Sequence, residues 1–347
     1  MLTSDCNRII LNLFGLKVSI SKSKIWDDRP GPYGLHDLIR EYAGVRHWLA
    51  GVVAQHGWSP VDEAGANDIR NAKRLMLCLS RRARDNFSQK SAVRCEIAGA
   101  PFVHYRRYKQ IEIAPDAKGT VAFPAHSVPG LYAEFDHAAY CVKLRALPEQ
   151  FQPVTICLHH SDIATFHLDK KYAALGFPVV SAPLDGEQPF CEAFYKILRK
   201  HRYATSNEPG SYSFYAVEMG IPFFLLGEAA ARDNSVTGNI DVPQRVYRIA
   251  DFTSGQVAAR MFSSGERGRI SPEVKAYVDA ELGLDDCLSA EELRRVFMEV
   301  AAAQYYRPSP IRQVLLALSY AIRYPFSANR IPRFFAAVWR FGRQAGR

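Results

Sequence analysis

Short apolar segments alternate with helical segments between residues 119 and 227, and this alternation constrains the fold more than any other feature of the sequence. An uninterrupted apolar run of about four to eight residues is typical of a strand that is buried on both faces. Strands of this kind that alternate with helices predict a doubly wound, parallel α/β sheet. Because such sheets bind ligands beyond the carboxyl ends of their strands, the residues that follow each strand are the first candidates for a site.

The predicted elements of this region are strands and the helices that connect them. The strands are 120–127, 154–160, 177–182, 203–206 and 222–226. The helices are Glu134–Leu147, Thr165–Leu175, Pro189–His201 and Ser211–Met219.

The first 110 residues predict a smaller α/β domain. Its expected elements are a hairpin over Gly15–Trp26, a helix over Leu35–Val53, a strand over Leu75–Leu79, a helix over Arg82–Lys90 and a strand over Val93–Ile97, followed by a linker over Tyr105–Lys118. We therefore predict a domain over 1–110, a larger domain over 111–265, a helical extension over 266–310 and a tail over 311–347. Within the extension, the S-A-E-E sequence that begins at Ser289 predicts a capped helix.

Length and composition limit the class of protein. At 347 residues the chain exceeds what one hydrophobic core usually holds, which favours two domains of roughly 100–200 residues each. Hydrophobic residues at 48% and a mean hydropathy of −0.16 indicate a folded chain. No apolar run approaches the ~18 residues of a membrane-spanning helix and no signal peptide is recognisable, so we expect a cytoplasmic protein. The seven scattered cysteines predict neither a disulfide framework nor a cysteine zinc site.

The positive charge is concentrated at the C terminus. The net charge is +9, but eight arginines and no Lys, Asp or Glu follow residue 300, so the rest of the chain carries only +1. A nearly neutral body argues against a nucleic-acid partner. On a helical projection, Arg330, Arg333, Arg340 and Arg343 lie opposite an apolar face, a pattern typical of a helix at an anionic membrane surface. The alternative is a tail that packs on its own domain or on a partner.

The residues that follow the fourth predicted strand suit a phosphate. They lead into a helix whose first-turn N–H groups and dipole attract anions. Serine hydroxyls can add donors, and Glu218 can accept from ribose hydroxyls. The alternative is that Ser211 is an ordinary N-cap and Glu218 a surface residue. The candidate nucleotide-binding residues of this segment are Ser206, Asn207, Gly210, Ser211, Tyr212, Ser213 and Glu218.

Two further groups of polar residues end the first and second predicted strands. His126 and Ser127 end the first, where their donors can meet a leaving phosphate. His159 and His160 end the second, and we expect one of them, with His160 as the candidate, to contact a nucleotide or sugar; simple polar satisfaction is the alternative. Because neighbouring strand residues point to opposite faces, a metal site built on both histidines with Asp162 is disfavoured.

Several short motifs, taken in order, resemble a known family. Gln55-His56-Gly57-Trp58 is similar to the His-Gly loop on the acceptor side of GT-B glycosyltransferases, especially bacterial enzymes of capsule, lipopolysaccharide and teichoic-acid assembly. The segment 97–102 (IAGAPF) looks like the Gly-x-Pro strand end before the interdomain linker of that group, and 13–22 (LFGLKVSISK) looks like its start. The strand, S-N loop and E-x-G-x-P helix over 203–226 look like its donor side. The resemblance covers roughly residues 50–230.

The resemblance implies a GT-B-like fold, with two Rossmann-like α/β domains that face a cleft and a basic helical tail. Residues 1–110 would be the acceptor side and 111–265 the donor side. The implied activity is transfer of a sugar from a nucleotide-sugar donor to a lipid-linked or growing surface polysaccharide, at the inner face of a bacterial membrane where the tail would bind anionic lipid. A non-catalytic carbohydrate-binding assembly subunit is the alternative from another class.

By analogy with the His-Gly loop of the family, His56 is the candidate general base. Acceptor binding without proton transfer, or a purely structural role, would also explain this histidine. Asp37 is the competing base, although a solvated helix face explains it equally well.

Missing motifs exclude several enzyme classes and leave others open. The chain has no D-x-D, so we expect neither a metal ion nor another cofactor, with the nucleotide-sugar as substrate. It also has no G-x-G-x-x-G, no Walker A loop and no G-x-S-x-G, which removes support for a dehydrogenase, a kinase or a serine hydrolase. On the same scaffold, transfer of CMP-linked acid sugars such as Kdo or sialic acid, polyol-phosphate transfer, pyruvyl transfer and sugar 2-epimerisation remain alternatives.

Overall fold

The computed structural model of the chain describes residues 8–13, 16–21, 26–27, 29–128, 131–182, 190–233 and 246–305. Two compact units are distinguished: residues 28–294, and residues 1–27 together with 295–347. The predicted amphipathic tail over 311–347 lies outside the described residues, and the four-part domain division stays a prediction. Of the helices in the described part of the chain, none has both the length and the apolar composition needed to cross a bilayer.

The strands of the described residues are short. They are β1 (Arg8–Leu13), β2 (Leu16–Ser21), β3 (Val52–Ala54), β4 (Leu75–Cys78), β5 (Cys95–Ile97), β6 (Thr120–Ala122), β7 (Tyr132–Glu134), β8 (Val154–Leu158), β9 (Val179–Ser181), β10 (Tyr203–Ser206), β11 (Phe223–Leu225), β12 (Ala231–Asp233) and β13 (Val246–Tyr247).

Helices connect most of these strands. They are α1 (Leu35–Ala43), α2 (Ala66–Asn71), α3 (Arg81–Lys90), α4 (Pro101–Tyr108), α5 (His137–Arg145), α6 (His160–Phe166), α7 (Leu168–Ala174), α8 (Phe190–Leu198), α9 (Ser211–Glu218), α10 (Thr253–Ser263), α11 (Pro272–Glu281) and α12 (Ala290–Tyr305).

The larger sheet of residues 28–294 is the predicted doubly wound sheet. Its described strands lie in the order β11-β10-β6-β8-β9, and all pairs are parallel. Numbered along the chain and read from β9, this is the order 3-2-1-4-5, which reverses direction between β6 and β10. Such a reversal is the topological switch point at which doubly wound sheets bind ligands.

Alternate residues of this sheet enter two different apolar cores. Val121 and Cys157 belong to a core that includes α8 and α9, whereas Ala122 and Ile156 belong to a core that includes α5 and α7. Burial on both faces explains why the strands read as continuous apolar runs in the sequence.

The smaller sheet consists of β3, β4 and β5, again in parallel, and confirms a second α/β layer in the first 110 residues. The fold class expected from the sequence, α/β with two parallel sheets, is therefore confirmed. A third sheet, of antiparallel β7, β12 and β13, was not predicted.

Several predicted boundaries are wrong for local reasons. The helix predicted over 35–53 ends at Ala43 because Gly44 adopts a left-handed conformation, with φ of 62°. The helix predicted over 165–175 is divided into α6 and α7 by His167, which has φ of 52°. The predicted hairpin is a pairing of β1 with β2 and therefore lies nearer the N terminus.

Other corrections concern the connection between the sheets and the helical extension. The predicted linker begins inside α4, which starts at Pro101, because proline is well suited to the first turn of a helix. In the extension, α11 and α12 form as expected. Ser289 caps α12: its Oγ accepts from the N–H of Glu292 at 3.3 Å, while the Glu292 carboxylate accepts from the N–H of Ser289 at 2.9 Å.

Candidate functional site

A cavity of about 160 Å³ lies at the carboxyl ends of the larger sheet, at its switch point. Residues that follow β6, β8, β9 and β10 contribute to it, and residues from the first 110 close its other side. This switch-point cavity is lined by Tyr33, His56, Phe102, Phe123, Pro124, His126, Cys157, Leu158, His159, Ala182, Phe190, Phe194, Ser211, Tyr212 and Tyr215.

The loop that follows β3 places His56 in the cavity. Before His56, the Gln55 side chain accepts a hydrogen bond from the N–H of Leu79 at 2.9 Å. After it, the N–H of Trp58 donates to Ser211 Oγ at 3.1 Å, and the Trp58 indole donates to Glu281 at 2.8 Å. The loop is thus fixed on both sides of His56, so its backbone holds the imidazole in place.

Tyr33 packs directly against His56. The two rings are stacked with centroids 5.5 Å apart, and the Tyr33 hydroxyl lies 3.2 Å from Nε2 of His159. Tyr33 has left-handed backbone angles, φ 54° and ψ 22°, in a turn that also contains Gly31 and Gly34. Sequence reasoning did not identify Tyr33. The Gly-Pro-Tyr-Gly turn was the available signal, because glycines on both sides of a bulky residue indicate an unusual backbone path.

The loop that follows β6 places His126 in the cavity and Ser127 beside it. The Ser127 N–H donates to the Asp162 carboxylate at 3.0 Å, and Ser127 Oγ accepts from the N–H of Ala133 at 3.0 Å. Ser127 is buried and does not line the cavity, so it anchors the loop that carries His126.

His159, rather than the predicted His160, lines the cavity. These histidines do not extend a strand, as the sequence suggested, but begin α6. His159 is its N-cap, and His159 Nδ1 accepts from the N–H of Ser161 at 3.3 Å. His160 is the first helical residue, with its Nε2 3.2 Å from Ser161 Oγ. Because His159 and His160 begin a helix, they do not point to opposite faces of a strand, as the sequence analysis assumed.

At the start of α9, Ser211 and Tyr212 reach the cavity, whereas Ser206, Asn207 and Ser213 are buried in the fold. Ser206 Oγ lies 3.0 Å from the Tyr212 hydroxyl and accepts from the N–H of Glu208 at 3.2 Å. Ser213 Oγ bonds both to the Gly210 N–H and to the Gly210 carbonyl, which closes the first turn of the helix. These side chains therefore shape the loop and do not line the cavity.

Asn207 and Gly210 likewise support the loop. The Asn207 carbonyl oxygen accepts from the N–H of Ala125 at 2.8 Å, and its amide donates to the carbonyl of Glu228 at 2.9 Å. Asn207 thus joins the ends of β6 and β10 immediately behind the cavity. Gly210 is the N-cap of α9, and a Cβ atom there would lie 2.6 Å from the Tyr212 ring.

Glu218 does not reach the cavity, and the predicted ribose contact is not supported. Its side chain is 1% exposed and accepts two hydrogen bonds from Arg106, at 2.7 and 2.8 Å, and one from Arg107 at 3.1 Å. A carboxylate saturated by guanidinium donors in this way is a structural ion-pair partner. Its arginines belong to α4, 112 and 111 positions earlier in the chain, so the pairing could not be read from the local sequence.

Asp37 also lies away from the cavity. It forms an ion pair with Arg40 on α1, and its side chain is half exposed. The structure therefore favours the solvated-face interpretation of Asp37 over a role as general base.

Three histidines face the cavity, and all are held in their neutral forms. Burial lowers the pKa of His56 even though its side chain reaches solvent, because imidazolium is poorly solvated in this recess. Burial and the nearby His159 lower the pKa of His126 to about 3, and burial lowers the pKa of His159 to about 4. The described residues give the rings of His56 and His126 no hydrogen-bond partner.

The remaining walls are mainly aromatic. Phe123 stacks on Tyr212 with centroids 4.9 Å apart, and Phe102 stacks on Tyr215 at 5.2 Å. Among the described lining residues there is no Asp, Glu, Lys or Arg. The site can therefore offer neutral hydrogen-bond donors and acceptors to a ligand with a flat ring, and it does not repel an anion. In the described ranges, no three His, Cys, Asp or Glu side chains are grouped as metal ligands.

Comparison with known proteins gives a limited result. No family model and no curated protein matches the sequence. Among solved structures, the chain is similar to UDP-GlcNAc 2-epimerase from Neisseria meningitidis bound to UDP-GlcNAc, with 10% sequence identity and a TM-score of 0.34. The similarity covers 76% of this chain and 79% of that one. A likeness of this size does not identify an activity, so the functional argument rests on the site itself.

The structural assignment of Glu218 predicts a loss of stability on substitution. In Glu218→Ala, the partly buried Arg106 loses its carboxylate, and we expect the free energy of unfolding to fall by about 3 kcal/mol. The matched control is Glu41→Ala, which removes an exposed ion pair with Lys109 and should change the free energy of unfolding much less. Urea unfolding followed by circular dichroism measures both. If both variants lose only a small and equal part of the free energy of unfolding, Glu218 is not a structural ion-pair partner.

Proposed function

We propose that the chain is a GT-B-like enzyme that binds a nucleotide-sugar in the switch-point cavity and transfers the sugar to an acceptor hydroxyl. The observation that carries this proposal is the meeting of His56, from the smaller sheet, with His126, from the larger sheet, at the switch point. A group transfer between two substrates requires a cleft with reactive groups on both sides, and these two histidines supply them.

Each proposed role follows from protonation and position. Neutral His56 has a free ring nitrogen that can take the proton of an acceptor hydroxyl. Neutral His126 can donate one N–H to the departing phosphate, assisted by the dipole of α9. Ser211 can also donate, because its Oγ accepts from Trp58 and its own hydrogen remains available. Catalysis would then depend on positioning and hydrogen bonding, without a covalent intermediate or a metal ion.

Sugar 2-epimerisation is the alternative that the same scaffold suggests. An epimerase of this kind is expected to bring carboxylates onto the sugar, and no described lining residue is a carboxylate. The two reactions differ in their products, because a transferase releases nucleotide only with an acceptor, whereas an epimerase forms a new sugar nucleotide without one.

Nucleotide binding should stabilise the protein and depend on His126. We expect one of UDP, GDP, CMP or dTDP to raise the melting temperature by several degrees, since a ligand at 100 times its Kd contributes about 2.7 kcal/mol. In His126→Ala, the Kd should rise about tenfold because a donor to a charged group is lost. His36→Ala, which changes a histidine stacked on Trp48 outside the cavity, is the control. Absence of a shift with all four nucleotides would refute the proposed ligand class.

A second prediction concerns pH. Because burial lowers the pKa of His56 below its ordinary value of 6.5, the base form is already present at neutral pH, and kcat/KM should fall only as the pH drops below about 6.5. His56→Gln should lower kcat by about 10²–10⁴ and remove this acid limb. Nucleotide release in the presence of a lipid-linked glycan extract provides the assay. An unchanged acid limb in His56→Gln would exclude His56 as the base.

The acceptor and the membrane surface belong to the same proposal. A lipid-linked or growing surface polysaccharide would place the enzyme on the inner face of the cell membrane, and the basic amphipathic tail would bind anionic lipid there. The pattern of Arg330, Arg333, Arg340 and Arg343 opposite apolar residues supports this placement.

The tail proposal predicts salt-dependent binding to anionic vesicles. Replacing those four arginines by glutamine should abolish co-sedimentation with phosphatidylglycerol-containing liposomes at low salt, since each basic residue near such a surface contributes about 1 kcal/mol. Liposomes of phosphatidylcholine alone are the control and should not pellet either protein. If wild type and variant pellet equally with anionic liposomes, the tail is not the membrane contact.

A further inference from the structure

The hydrogen bond between Tyr33 and His159 can be formed in two ways. The Tyr33 hydroxyl lies 3.2 Å from His159 Nε2, so either the hydroxyl or the ring nitrogen can donate. Which group donates decides whether the hydroxyl hydrogen of Tyr33 is already used or is available to a ligand.

The other nitrogen of the same ring settles this choice. The N–H of Ser161 points at His159 Nδ1 from 3.3 Å as part of the N-cap of α6, so Nδ1 must be an acceptor without a hydrogen. Burial lowers the pKa of His159 to about 4, which keeps the ring neutral at pH 7 with a single hydrogen. That hydrogen is therefore on Nε2.

It follows that His159 donates and the oxygen of Tyr33 accepts. The hydroxyl hydrogen of Tyr33 then has no partner among the described residues, and Tyr33 lines the switch-point cavity. Burial raises the pKa of Tyr33, so the hydroxyl keeps this hydrogen at neutral pH.

We propose that Tyr33 is a ligand-binding residue that donates its hydroxyl hydrogen to a phosphate oxygen in the switch-point cavity. The identity of that phosphate as part of a nucleotide rests on the proposed function; the donor itself does not. An oxyanion is the acceptor that gains most from such a bond, because charge-assisted hydrogen bonds are roughly twice as strong as neutral ones. No carboxylate among the described lining residues competes for the hydrogen.

The backbone of Tyr33 supports a binding role. A bulky residue at φ 54° has a strained backbone, and such strain is concentrated at functional sites. Here the strained conformation brings the ring onto His56 and the hydroxyl onto His159 at the same time.

The first test examines the protein without ligand. Long-range ¹H–¹⁵N correlation spectra of the full chain report the histidine tautomer, with His159→Gln to assign the signal. We expect the Nε2–H form of His159 at pH 7. The Nδ1–H form would overturn the inference, because Tyr33 would then donate to His159.

The second test measures binding. Tyr33→Phe keeps the ring and removes only the hydroxyl, so the Kd for pyrophosphate and for the best of the four nucleotides should rise about tenfold. Tyr105→Phe is the control, since it removes a buried hydroxyl that donates to Glu192 at 3.2 Å outside the cavity, and it should leave both Kd values within twofold. Equal affinities of Tyr33→Phe and wild type would refute the inference.

The two probes separate this inference from the proposed function. Pyrophosphate binding that depends on Tyr33, without binding of any nucleotide, would support the phosphate donor and refute the nucleotide-sugar enzyme. Nucleotide binding that does not depend on Tyr33 would support the nucleotide-sugar enzyme and refute the role of Tyr33 as a phosphate donor. If wild type binds neither pyrophosphate nor a nucleotide, both are wrong.

Discussion

The contact between Trp58 and helix α9 is the interaction on which the candidate site depends. The Trp58 backbone donates to Ser211, and its indole donates to Glu281, which is also bonded to Arg82. A Cβ atom on Gly57 would lie 2.5 Å from Ser211 Oγ, so the close approach of loop and helix requires glycine there. His56 is thereby fixed through its backbone and its stacked ring. Its nitrogens need not take part in holding it, and they remain free for chemistry.

Ion-paired side chains lie outside the cavity, whereas the described side chains that line it are neutral. Two buried carboxylates of the described residues are paired with arginines, Glu208 with Arg232 and Glu218 with Arg106, and neither pair lines the cavity. Breaking such pairs would leave buried charges uncompensated, so these arginines are not available to an incoming anion. A phosphate would have to be recognised by N–H and O–H donors. Recognition of a phosphate would therefore depend on the protonation states of the histidines and of Tyr33.

The parts that could be predicted from the sequence are those fixed by local patterns. The strands of the larger sheet were located because burial on both faces produces continuous apolar runs, and His126 because it ends the first of these strands. His56 was identified by its resemblance to the His-Gly loop, since the strand before it, β3, was not predicted. The pairing of Glu218 with Arg106 could not be predicted, because Arg106 lies on another element and no local pattern reveals it. Tyr33 was missed for a similar reason: its role depends on His159, 126 positions away.

The helix starts explain why side chains, more than backbone amides, would bind the ligand. The sequence suggested a cradle of free N–H groups at the start of α9, and two of the N–H groups there are occupied within the turn: the Gly210 N–H donates to Ser213 Oγ and the Ser213 N–H donates to the Gly210 carbonyl. At the start of α6, His159 accepts from Ser161 in the same manner. Each cap therefore occupies a backbone N–H group. In α6, the cap fixes the tautomer of His159, and through it the free hydrogen of Tyr33. In α6, capping and ligand recognition are thus linked, because the Ser161 N–H is occupied by the cap and the Tyr33 hydroxyl is the donor that remains.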